Sequence, residues 1–181
     1  MRAVMAAVAA VAVAFVPACS DDGDTSPTSS LSLGPAECAA SDPVLMVDRI
    51  DAAAAAVEAQ LGEPQVYFEI NATPLLVNLF VADPVAKTVT PYAFVGDELS
   101  SEAPLSVEAG SAFLASALSI DPERVLSCVV DQLPNSVIEV FFVEANAEGA
   151  LRYTVLTSND QGGQLAVEVS GDGLVLAVDT A

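Results

Sequence analysis

The sequence of 181 residues contains no histidine and no tryptophan, and only 5 of its residues are lysine or arginine. Without histidine there is no side chain whose unperturbed pKa lies near neutrality, which removes serine–histidine and cysteine–histidine nucleophile pairs and most zinc sites. The sequence also lacks a glycine-rich phosphate loop and a dinucleotide-binding fingerprint. We therefore predict no catalytic residue, no metal ion and no cofactor, and expect the protein not to be an enzyme.

The chain is strongly acidic: 25 acidic residues and 5 basic ones give a formal net charge of −20. This charge repels the phosphates of nucleic acids and anionic lipid headgroups, so we exclude nucleic acid as a partner. Neither the group Asp21, Asp22 and Asp24 nor the pair Asn159-Asp160 has the regular oxygen-ligand spacing of a calcium loop. We interpret them as a solvated segment and a hairpin turn.

The N-terminus has the pattern of an export signal. Met1-Arg2 is a short basic region, and Ala3 to Val16 follow without a charge. A run of about 14 residues is shorter than the about 20 that a membrane-spanning helix needs, and it fits the apolar core of a signal peptide. The next residues, Val16-Pro17-Ala18-Cys19, resemble the lipobox of bacterial lipoproteins, although Pro17 departs from the usual small or β-branched residue.

This resemblance implies that the chain is cut before Cys19 and that Cys19 carries lipid, palmitate included. The protein is then anchored to the cell membrane on its extracytoplasmic face. Residues 1–18 would be the signal peptide, and the polar residues 19–40 a flexible tether. Ordinary secretion is the alternative, because the same residues suit a general cleavage site.

Two cysteines, Cys38 and Cys128, remain if Cys19 carries lipid. We predict a disulfide between them, because exported proteins meet an oxidising environment. The alternative is two independent buried thiols.

Apolar spacing predicts two main helices. Over residues 43–61 the apolar positions recur at steps of three and four, with Asp42 as cap, Pro43 at the first position and Gly62 at the end. The second helix is predicted over 122–132. Alternating apolar residues between turn residues predict strands over 66–71, 75–81, 88–95, 137–143, 151–157, 164–170 and 174–178.

The two halves repeat the same element order. Gln60-Leu61-Gly62 precedes one strand, and Gln132-Leu133-Pro134 precedes its counterpart. We predict an α+β fold, a tandem repeat of one helix packed on a three- to four-stranded antiparallel meander. The halves are residues 41–100 and 120–181, joined by a linker with a short helix over 101–119. Chance similarity is the alternative.

The second half resembles a PepSY domain over residues 120–179. The resemblance rests on DPERVLSCVVDQLPN, VIEVFFVEANAEG, LRYTVLTSNDQGG and LAVEVSGDGLVLAVD, in that order. Ser170-Gly171-Asp172-Gly173 lacks the threonine-glycine turn of the family, and residues 43–99 look like a more diverged copy. The resemblance implies a noncatalytic extracytoplasmic module that inhibits a protease or regulates a neighbouring protein.

Bulky residues lie on both faces of the predicted strands. We predict a possible interaction patch for an unknown envelope protein, unless these residues pack between the halves instead; it comprises Tyr67, Phe80, Phe94 and Phe141. An alternative function is a carrier of lipid or of a small apolar ligand. Mycobacterial lipid-binding lipoproteins similarly combine an anchored tether with helices over a curved antiparallel sheet.

Overall fold

The computed structural model describes Cys38, residues 44–107 and residues 110–181. Cys19, the predicted signal peptide, the polar residues that follow it and the predicted cap Asp42-Pro43 lie outside these residues. So do Asp21, Asp22 and Asp24.

Most of the described chain is extended. The strands are β1 (Val66–Ala72), β2 (Val77–Asp83), β3 (Thr88–Val95), β4 (Glu98–Ser101), β5 (Leu105–Ser106), β6 (Phe113–Leu114), β7 (Ser136–Ala145), β8 (Leu151–Asn159), β9 (Gln164–Val169) and β10 (Val175–Thr180). They form one antiparallel sheet in the order β10-β9-β8-β7-β1-β2-β3-β4, while β5 pairs with β3 and β6 with β1.

The predicted tandem repeat of two helix-and-meander units is wrong, because the strands form one continuous sheet. The join is the pairing of β1 with β7, in which Ile70 lies opposite Val143 and Ala72 opposite Phe141. An exposed strand edge carries unpaired N–H and C=O groups, so these two inner edges satisfy each other. The region predicted as a linker also contributes strands, β5 and β6, and the short helix predicted there is β6 followed by one 3-10 turn, Ala115–Ala117.

Helix covers one face of the sheet. A 3-10 helix, Met46–Arg49, leads into α1 (Ile50–Leu61), which ends at Gly62 with a left-handed φ of 85°. The second helix, α2, spans only Ser127–Gln132. The first helix therefore begins several residues later than predicted, and the second helix is about half as long as predicted.

The core is a single apolar cluster between the helices and this face. It contains Ile50 and Val57 of α1 together with Ile70, Leu79 and Phe141 of the sheet, each at most 1% exposed. Val125 and Val129, at 0% and 1% exposed, belong to the same cluster. Because these side chains leave water almost completely, each contributes about 1.5–3 kcal/mol to stability.

A disulfide links the segment before α1 to α2. Cys38 and Cys128 are bonded, with Cα atoms 5.1 Å apart, which confirms the predicted pairing. Cys128 lies in α2 and is 3% exposed. The bond therefore ties the beginning of the described chain to the helix that covers its second half.

The β9–β10 turn packs tightly against the segment that precedes α2. The backbone N–H of Asp121 donates to the carbonyl of Gly171 at 2.7 Å. A Cβ atom added at Gly171 would lie 1.7 Å from the carbonyl oxygen of Ser119, and one at Gly173 would lie 2.1 Å from that of Arg124. Glycine at both positions is what permits this backbone approach.

Candidate interaction face

The sheet has a second face, opposite the helices, which we call the open face. Residues paired across antiparallel strands point to the same side, so the core residues Ile70 and Val143 define the covered face. Their neighbours along the strands point to the other side. The open face comprises Glu69, Asn71, Asn78, Phe80, Pro91, Ala93, Val140, Phe142, Glu144, Arg152, Thr154 and Leu156.

Aromatic and acidic side chains lie side by side across the middle of the open face. Phe80 lies opposite Glu69, which in turn lies opposite Glu144, and Glu144 lies opposite Arg152. All except Arg152 are half-buried. Arg152 forms an ion pair with Glu144 at 3.1 Å. The adjacent row places Phe142 opposite Asn71.

A short polar network runs along this face at the junction of β1, β2 and β7. The amide of Asn71 donates to Oε1 of Glu69 at 2.7 Å, and the amide of Asn78 donates to Oδ1 of Asn71 at 2.8 Å. Asn71 is only 8% exposed. Burial raises the pKa of Glu69, the hydrogen bond from Asn71 lowers it, and the neighbouring carboxylate of Glu144 raises it further.

We expect Glu69→Gln to stabilise the protein at neutral pH. A carboxyl whose pKa is higher in the folded than in the unfolded chain binds protons more readily when folded, so its stability contribution falls as the pH rises from the ordinary range through the raised pKa. Glutamine removes this loss and still accepts the hydrogen bond from Asn71. Urea unfolding at about pH 4 and about pH 7 should show a gain that is larger at the higher pH.

The control for this change is Glu148→Gln in an exposed hairpin turn, which should alter the free energy of unfolding by less than about 0.5 kcal/mol. A Glu69→Gln protein that is less stable than the wild type at neutral pH would contradict the electrostatic account.

A hollow of about 240 Å³ lies beside Phe80 on the open face. Phe80 and Pro91 line it together with Asn78, Leu105 and Glu102. Its lining therefore combines an aromatic ring, aliphatic atoms and an acidic group within one concave surface.

At one corner of the open face, Val107 and Gly110 lie beside Phe68. Gly110 lies against Phe68 so closely that an added Cβ would sit 2.5 Å from the ring. Phe68, Val89 and Val107 also line a small cavity of about 130 Å³ there. Phe80 and Phe142 lie outside this covered corner.

An acidic cleft of about 330 Å³ lies on the helix side, between α1 and the segment before α2. Its lining includes four carboxylates, those of Asp48, Asp51, Asp121 and Asp172. Asp121 is 3.7 Å from the guanidinium of Arg124. A hydrogen bond from Ser170 holds the pKa of the fully exposed Asp172 below its usual range. Within the described ranges, no three histidine, cysteine or acidic side chains are grouped so as to hold a metal ion.

The predicted patch is not assembled as one surface. Tyr67, Phe94 and Phe141 are 0%, 5% and 0% exposed and lie in the core, while Phe80 points to the open face. The hydroxyl of Tyr67 donates to the carbonyl of Ala54 in α1 at 3.4 Å, and burial raises its pKa. Three of the four residues thus pack under the helices. The pattern of a single strand cannot show whether such residues pack under a helix or between two halves.

The second calcium candidate is a hairpin turn, as interpreted from the sequence. The side-chain oxygen of Asn159 accepts hydrogen bonds from the N–H groups of Gln161 and Gly163, at 3.0 and 2.9 Å. This closes the turn between β8 and β9, and Asp160 is exposed within it.

The sequence interpretation missed the residues at the centre of the open face. No sequence pattern assigned a role to Glu69, Asn71 or Glu144. What distinguishes them is that Glu69 of β1 lies opposite Glu144 of β7. This becomes visible only when the two strands are paired.

Comparison with known proteins adds little. No family model matches the chain, and no curated protein matches it. A crystal structure of a candidate lipoprotein from Clostridium difficile 630 is similar with 10% identity and a TM-score of 0.48, covering 78% of this chain and 96% of that one. The neighbour's description names the class of protein that the signal segment predicts here, but a likeness of this degree carries no conclusion about this chain. In the part of the chain that the structure describes, no helix is long and apolar enough to cross a membrane.

Proposed function

We propose that this chain is a membrane-anchored extracytoplasmic lipoprotein whose folded part is a noncatalytic protein-interaction or regulatory module. The observation that carries the proposal is the open face, where Phe80, Phe142 and Leu156 are only half-buried while the helices cover the other side. Partly exposed aromatic and aliphatic groups gathered on one face are typical of protein contact sites. The contact site is therefore the open face rather than the predicted patch.

The manner of action follows from what the chain carries. The sequence has no histidine, and many of the described carboxylates are spread over a cleft and a sheet face, which supports a noncatalytic action. Residues 120–179 resemble a PepSY domain. On that basis we propose that the interaction inhibits or regulates a neighbouring envelope protein.

Anchoring by lipid on Cys19 is testable directly. We expect radiolabelled palmitate to be incorporated into the wild-type chain in its secreting host and to be absent from Cys19→Ser, because acylation requires that thiol. Cys38→Ser is the matched control and should retain the label. A wild-type chain that is exported without label would show ordinary secretion instead.

The interaction is testable by a photo-crosslinking amino acid at Thr154, which lies opposite Phe142 on the open face. We expect irradiation of living cells to give a discrete adduct with an envelope protein. The same amino acid at Ala55, an exposed position of α1, is the control and should give no such adduct. Equal adducts from both positions, or none from Thr154, would contradict an interaction at this face.

The carrier of a lipid or small apolar ligand has weaker support. Apolar carriers hold their ligands in enclosed pockets of about 300–1,000 Å³. Here the lining of the cleft of about 330 Å³ includes four aspartates beside its apolar residues, and the apolar cavity beside Phe68 measures about 130 Å³. Native mass spectrometry of protein from its host would favour the carrier over the interaction module if it showed lipid bound noncovalently, in addition to the acyl chains on Cys19.

A further inference from the structure

The centre of the open face holds two carboxylates in direct cross-strand register. Glu69 of β1 and Glu144 of β7 lie opposite each other at the seam of the sheet. Like charges at such positions destabilise a sheet. Arg152 reaches Glu144 from the far side, at 3.1 Å, and Glu69 receives a neutral amide from Asn71. The charge of Glu69 is thus solvated by an amide but not neutralised by that contact.

Aromatic surface flanks this carboxylate pair. Phe80 of β2 lies opposite Glu69. Phe142 lies on β7, two residues before Glu144 and on the same face. The hollow of about 240 Å³ beside Phe80 brings a further carboxylate, Glu102, to its rim. Negative charge next to aromatic faces is the environment that suits a cation carried on an apolar stem.

Charge decides among the possible occupants. A second copy would bring another net charge of −20 and the same acidic face. The chain's own segment from residue 19 to residue 43 contains Asp21, Asp22 and Asp24 and no lysine or arginine. An anionic membrane surface is repelled for the same reason. A basic segment of another protein is the complementary partner.

We propose that the open face docks a lysine- or arginine-bearing segment of an envelope protein, with a cation between Glu69 and Glu144 and apolar neighbours on Phe80 and Phe142. This rests on the proposed function and names the chemistry of its partner. The partner would supply a positive charge beside Glu69, whose described hydrogen bond is to the neutral amide of Asn71.

The test uses the full chain in its host, with the photo-crosslinking amino acid at Thr154. Two double variants are compared, Glu69→Gln with Glu144→Gln, and Glu63→Gln with Glu148→Gln. Each removes two negative charges, but Glu63 and Glu148 are exposed in turns away from the pair. We expect the first to lower the yield of the protein adduct about tenfold and the second less than about twofold. The partner peptide at the adduct should contain lysine or arginine.

The outcomes separate this inference from the proposed function. An adduct that persists equally in both double variants overturns the basic partner and leaves protein interaction in place. No adduct in the wild-type background overturns both. An adduct with a second copy or with lipid overturns the basic partner. Urea unfolding of the Glu69→Gln, Glu144→Gln chain should show wild-type stability or more, which separates lost docking from lost folding.

Discussion

Replacing Cys38 and Cys128 together by serine is expected to lower the free energy of unfolding by about 4 kcal/mol. The bond joins residues 90 positions apart in sequence, so without it the unfolded chain gains the conformational freedom of a long loop. In the folded state it also ties the chain before α1 to the buried Cys128 of α2. Urea unfolding of a mature chain that carries Cys19→Ser, so that no other thiol is present, measures the difference.

The same parent chain treated with a reductant is the matched control, because it breaks the bond without changing the packing of a side chain. We expect reduction and double substitution to lower the stability by similar amounts. A loss of less than about 1 kcal/mol in both would mean that the bond does not constrain the unfolded chain in the way that the loop length implies.

Gly173→Ala is expected to destabilise the protein by about 3 kcal/mol or more. Gly173 has a φ of 90°, which an alanine adopts at a cost of about 1–2 kcal/mol. Its added Cβ would in addition lie 2.1 Å from the carbonyl oxygen of Arg124 and 2.8 Å from its carbonyl carbon. Because both neighbours are backbone atoms, the β9–β10 turn must move away from the segment before α2, and buried contacts such as those of Val125 are weakened.

Gly149→Ala separates the two causes. Gly149 has a φ of 81° in another hairpin turn, with no atom within 4 Å of an added Cβ. It should lose only the conformational part, about 1–2 kcal/mol. Thermal or urea unfolding that gives equal losses for the two variants would show that the close approach of the β9–β10 turn contributes nothing to stability.

Local patterns predicted most of the strands correctly. The alternation over 88–95 corresponds to β3, Thr88–Val95, and the other main strands differ from their predicted bounds by a few residues. The helices were predicted less well. The alanine-rich run gave α1, but Leu45 precedes a 3-10 turn, not a capped helix, and α2 shortens to Ser127–Gln132. The turn before α2 is held by a backbone hydrogen bond from Asp121 to Gly171. Local helix propensity does not reflect such a long-range contact.

The prediction of two separate sheets was wrong because β1 pairs with β7. Equivalent element order in the two halves suggested two separate units, and nothing local to β1 or β7 indicates that they pair. Similarly, Phe141 was assigned to a contact patch because its strand is apolar on both sides. The face that a helix covers is set by the position of α1, so Phe141 became a core residue and Phe142 a surface one.

The sequence by itself determined the absence of histidine, the pattern of an export signal before Cys19, and the alternation that forms the strands. These properties depend on composition or on neighbours within a few residues. Only the tertiary structure decided that β1 pairs with β7, which face is left open, and that Glu69 and Glu144 meet there. The physical reason is that strands pair through main-chain N–H and C=O groups, which every residue except proline carries alike, so the choice of partner is made by the packing of the whole chain.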